Sequence, residues 1–80
     1  MTERTAERFL TEVRKRYRDG GADPPVASLS AAFVMIDRQY DGFLHEVRPA
    51  MPSCKHIREA LVRLAAGCVK AVVDLNLNDE

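Results

Sequence analysis

Apolar side chains recur along the first part of the chain at steps of three and four residues: Ala6, Phe9, Leu10, Val13 and Tyr17. That spacing puts them on one stripe of an amphipathic helix and predicts a helix over about residues 2–19. Gly20 and Gly21 follow it and are expected to end it in the left-handed conformation that helix C-termini favour. Pro24 and Pro25 exclude helix from the next few residues and make a stiff connector. Ser28 or Ser30 then offers an N-cap to a second helix over about 28–48, which Pro49 and Pro52 stop. Its stripe is Leu29, Ala32, Phe33, Ile36, Tyr40, Phe43 and Val47, with Leu44 at the margin. Ser53 caps a third helix over about 53–75. The tail from Asn76 is polar and is expected to fray.

The third helix breaks the one-stripe pattern. Ile57, Leu61, Leu64, Ala65, Cys68, Val72 and Leu75 form one stripe, and Val62, Ala66, Val69 and Val73 cover much of a second. Only a narrow polar strip remains, Glu59, Arg63, Lys70 and Asp74, in which Glu59–Arg63 and Lys70–Asp74 sit at i,i+4 pairing distance. A helix apolar nearly all round is buried on several sides. Two companion helices from one chain are too few to cover it, so the pattern predicts an all-α, three-helix protomer that completes a helical bundle by homo-oligomerisation.

Length points the same way. Eighty residues make one domain, and so short a chain has a marginal core unless something reinforces it. Disulfides do not: Cys54 and Cys68 are its two cysteines, and on one helix they lie about 21 Å apart, beyond bridging reach. Cys54 and His56 lack a second ligand pair at zinc spacing, so no metal site is expected. Association with another chain is the remedy left, as a dimer or a dimer of dimers.

Charge narrows the partners. Twelve basic and twelve acidic side chains cancel, which gives no global pull towards nucleic acid or an anionic membrane. The basic run Arg14, Lys15, Arg16 and Arg18 suits the helix dipole at a C-terminus, and a solvated helix end is favoured there over a partner-binding patch. The opening residues are polar and charged, and no apolar stretch is long enough to span a bilayer, so a cytoplasmic protein is expected. Candidate chemistry is thin. Asp37 and Asp41 stand one turn apart on the second helix, a common arrangement for exposed carboxylates. A Mg²⁺ site needs more oxygens than that pair supplies.

The order of elements nevertheless resembles a known family. Asp37-Arg-Gln-Tyr-Asp-Gly-Phe-Leu-His-Glu-Val47 is followed, after a short break, by Ile57-Arg-Glu-Ala-Leu-Val-Arg-Leu-Ala-Ala-Gly-Cys-Val-Lys-Ala-Val-Val-Asp-Leu75. This is similar to the small MazG-like proteins of phages and bacteria, within the all-α nucleoside triphosphate pyrophosphohydrolases, over about residues 9–75. The resemblance implies a Glu-Glu-x-x-Glu motif on one helix and a Glu-x-x-Asp motif on the next, holding Mg²⁺ against the nucleotide phosphates. Here the first motif falls on Arg38, Gln39 and Gly42 and the second on Ala60 and Arg63, and none of the five is a carboxylate.

The resemblance therefore implies a chain without catalytic residues, resident metal or cofactor. It would act by binding a protein partner or a nucleotide, as a phage accessory or counter-defence factor would against a host protein. Arg38, Gln39, Gly42, Glu46 and Arg63 mark a candidate ligand or partner cleft in which arginine replaces the cation. The default alternative is that Arg38 and Arg63 are solvated surface residues. The alternative function is an atypical Mg²⁺-dependent nucleoside triphosphate pyrophosphohydrolase using Asp37, Asp41, Glu46 or Glu59.

Overall fold

A computed structural model describes residues 2–20 and 23–77. It contains three helices: α1 (Thr2–Asp19), α2 (Leu29–Val47) and α3 (Cys54–Asp74), with no strand among the described residues. Ser28 is the cap of α2, its hydroxyl accepting the Ala31 N–H at 3.1 Å. Ser53 plays the same part for α3, accepting from His56 N–H at 3.4 Å. In both cases the side-chain oxygen satisfies one of the amide donors that a helix start leaves open.

α3 is the central element. α1 packs on one flank of it and α2 on the other, and α1 and α2 do not pack on each other among the described residues. Two small clusters make up the core. Val13 of α1 meets Val62 and Ala66, with Phe9, Tyr17 and Ala65 around them. Ala32 of α2 and Val26 of the connector meet Ala71, with Met35, Ile36 and Leu75 around them. Arg58 lies over the Phe9 ring and pairs with Glu12 at 3.2 Å. Contacts near the start of α3 thus come from early α1, and those further on come from later α1. α1 therefore runs parallel to α3, and α2, with Glu46 beside His56 and Ala32 beside Ala71, runs antiparallel. Three helices in a row give an elongated body, 40 × 27 × 25 Å.

What α3 buries is small. Ala60, Val62, Ala66, Gly67 and Ala71 are its buried residues, and Ala60 is only 1% exposed. By the resemblance, Ala60 stands at a metal-binding position of the second motif. It lies instead at the most buried point of α3, because a methyl group is what a close helix–helix approach admits. Large apolar residues take the outer positions: Phe33 is 72% exposed, Leu29 71% and Val72 46%.

Two helix ends differ from expectation. Gly20 does not take a left-handed conformation, since no described glycine has positive φ, and Gly21 lies outside the described residues. α1 is closed by the Gly20 N–H donating to the Arg16 carbonyl at 3.1 Å. The left-handed residue is Asn76, φ 53°. Leu77 N–H donates to the Val72 carbonyl and Asn76 N–H to the Val73 carbonyl, the paired bonds of a Schellman ending. Asn76 and Leu77, assigned to a fraying tail by composition, form the stop of α3.

Gly67 faces α2 with room to spare: a Cβ there would meet Gln39 Cγ and Met35 Cε at 3.8 Å, ordinary contact. Gly67→Ala should therefore raise stability by about 0.5–1 kcal/mol, the backbone entropy that glycine loses in a helix interior. Ala60→Leu should lower it by roughly 1–3 kcal/mol through overpacking. Urea melts of the two variants check both signs.

Candidate functional site

Because α1 and α2 flank α3 without touching, a groove opens between them along one side of the row. Arg63 and Lys70, seven residues apart and so on one side of α3, line it together with Ala66 and Gly67. α1 contributes Arg16 and Tyr17, and α2 contributes Met35 and Gln39. The connector closes one end with Asp23, Pro24 and Pro25. The open groove has a volume of about 400 Å³. A larger hollow of about 730 Å³ runs along the outside of α1, but Arg4, Glu7, Arg8, Thr11 and Glu12 all come from that one helix. It is open space between side chains, with no opposing wall.

The connector is held by one carboxylate. Asp74 accepts the Val26 N–H at 2.8 Å and the Lys70 ammonium at 2.9 Å. The Val26 amide, then Lys70, holds its carboxyl below the usual carboxylate range, against the opposing effect of burial. The i,i+4 pair expected between Lys70 and Asp74 thus forms, whereas Glu59 and Arg63 make no ion pair among the described residues. Both border a neighbouring hollow with Glu12 and Arg16.

Of the five cleft residues expected from sequence, the groove takes in Gln39 and Arg63. Gly42 and Glu46 are half-buried on α2 beyond it, and Glu46 lies 3.7 Å from His56. Arg38 is exposed and outside it, because one residue's rotation from Gln39 turns a helical side chain by about 100°. The four carboxylates of the alternative reading do not gather either. Among the described residues no three His, Cys, Asp or Glu side chains converge as metal ligands would. Arg16 and Lys70 were missed as groove residues. In the sequence Arg16 belongs to a basic helix end expected to be solvated, and Lys70 to the narrow polar strip of α3. Their spacing relative to Arg63 becomes meaningful only once α1 is known to lie parallel to α3.

On the opposite side of the row the surface is apolar. Leu61, Cys68 and Val72 lie there on α3, and Leu29, Phe33 and Tyr40 on the adjoining flank of α2, all exposed. Cys54 and Cys68 are both free thiols. No described helix is long and apolar enough to cross a membrane. Comparison of the chain with family models, with curated proteins and with solved structures finds no match.

Replacing Asp74 by Ala should free the connector and lower Tm at pH 7. The native carboxyl is depressed, so its contribution is present above the unfolded value of about 3.9 and is lost as pH falls through the folded value. The Tm gap between wild type and Asp74→Ala should accordingly close as pH drops below about 4. A gap that widens on acidification would show that Asp74 does not act as the ionised anchor.

Proposed function

We propose that the chain is a non-catalytic helical binding protein that works as a homodimer assembled through α2 and α3. The observation that carries this reading is the amount and kind of surface left open. The chain exposes 6512 Å², against roughly 4,900 Å² for a compact monomer of its mass. The excess is larger than the roughly 800 Å² that a standard protein–protein interface removes from each partner. The most exposed large apolar side chains of α2, Phe33 and Leu29, share that open side with Leu61 and Val72 of α3.

A second copy is the occupant this face fits best. Its centre, Leu61, Cys68, Val72, Phe33 and Tyr40, is uncharged and suits a self-complementary twofold contact. Two α2–α3 pairs laid face to face complete a four-helix layer with knobs of Phe, Tyr, Leu and Val interlocking. On the resemblance of its sequence to the MazG-like proteins, the chain serves as a phage-type accessory factor that binds a protein partner or a nucleotide.

Light scattering at low micromolar concentration should give twice the 9.0 kDa chain mass. Phe33→Asp and Val72→Asp should each yield helical monomers, since both positions are exposed within the chain. A wild-type monomer with a cooperative melt would sink the dimer. A separate assay concerns catalysis: with Mg²⁺ and a panel of nucleoside triphosphates, the protein should release no pyrophosphate. Release that disappears in Asp37→Asn or Asp41→Asn would establish the hydrolase instead.

A further inference from the structure

Arg16, Arg63 and Lys70 come from two helices that face the same space, and that convergence asks for a ligand. Three cations and a single carboxylate, Asp23, line the groove. Lys70 is partly neutralised by Asp74 at 2.9 Å, but neither Arg16 nor Arg63 has a carboxylate within ion-pair distance among the described residues. Arg63 is half-buried and lines the groove. Glu12, one of the two acids of the adjoining hollow, is engaged by Arg58 at 3.2 Å, and Glu59 there remains as a competing charge. Like charges placed together without counter-ions raise each other's free energy, and an anion bridging them relieves that cost.

The walls specify more than charge. Tyr17, Met35 and Ala66 present apolar surface, and Gln39 adds an amide able both to donate and to accept. A space of about 400 Å³ lies within the usual range for small-molecule sites and exceeds what a bare inorganic ion fills. We propose that this groove binds a small organic phosphomonoester. Arg16 and Arg63 fork onto its terminal oxygens, Lys70 supplies further charge, and the organic body lies against Tyr17 and Met35. A phosphomonoester suits the arginines because it carries close to two negative charges and three acceptor oxygens, which planar guanidinium groups meet two at a time. The groove and the apolar face occupy opposite sides of the helix row, so a dimer formed through that face leaves the groove open.

The proposal rests on the reading of the chain as a binding protein, and deepens it by naming a ligand class. Its test is a titration of the full-length, isotope-labelled protein with phenyl phosphate at low salt, followed by amide NMR, with inorganic phosphate and benzoate as comparison probes. Saturable shifts are expected at Gln39, Arg63 and Gly67, with phenyl phosphate binding on the order of tenfold more tightly than either comparison probe. Arg63→Gln should weaken binding by about tenfold or more, and so should Arg16→Gln, an exposed and unpaired position whose loss leaves the fold intact. Glu59→Gln should tighten it, an effect that a purely structural role would not produce, and Arg14→Gln, an exposed position that does not line the groove, should change nothing. Absent shifts, equal binding of benzoate, or affinity indifferent to Arg16 and Arg63 would overturn the proposal. Chain mass measured on the same samples separates the two readings: saturable binding by a monomer would refute the dimer alone, and a dimer with a silent groove would refute the phosphomonoester site alone.

Discussion

Everything in this fold depends on how closely α1 and α2 approach α3, and small side chains set that approach. Ala60, Ala66, Gly67 and Ala71 face inward from α3, Ala32 answers from α2, and no large side chain is fully buried. Close approach of helix backbones gains dispersion energy over many weak contacts. It buries modest apolar area, because alanine and glycine bring little to bury. The seam therefore fixes geometry more than it supplies stability. Phe9, Met35, Ile36 and Leu75 pack against the edges of the seam, whereas Leu29, Phe33, Tyr40 and Val72 remain exposed.

That division of labour explains the two contrasting sides of the helix row. A central helix held by flanking partners has two remaining sides. One carries Arg63 and Lys70 between the walls of α1 and α2, with the methyl-sized residues beneath them leaving space for a groove. The other carries Leu61, Cys68 and Val72 and merges with the exposed Phe33 and Tyr40 of α2. A bulkier residue at Gly67 would fill the groove from its floor, so the same small-residue choice that sets the packing also shapes the cavity.

Asp74 links these features. It neutralises part of the charge on Lys70, a groove cation, and it pins Val26, whose neighbours Pro24 and Pro25 close the groove's end. One carboxylate thus couples the ending of α3, the path of the connector and the electrostatics of the site. The Schellman ending at Asn76 and Leu77 follows immediately and fixes where α3 stops.

The sequence by itself determined the helices. Apolar spacing, paired prolines and the serines at 28 and 53 act within a few residues, and those local terms placed each helix to within about one residue of where it lies. It also determined that α3 carries more apolar surface than its own chain covers. Tertiary structure decided which of that surface is inside. Leu61 belongs to the apolar stripe of α3 and Ala60 does not, yet the packing of the helices buries Ala60 and leaves Leu61 exposed. The site was legible only in part for the same reason. Gln39 and Arg63 could be placed from positions on two adjacent helices, whereas Arg16 joins Arg63 across forty-six intervening residues through the parallel packing of α1 on α3. Arg38 is excluded by a rotation of one residue, which no pattern of residue types encodes until the facing helix is in place.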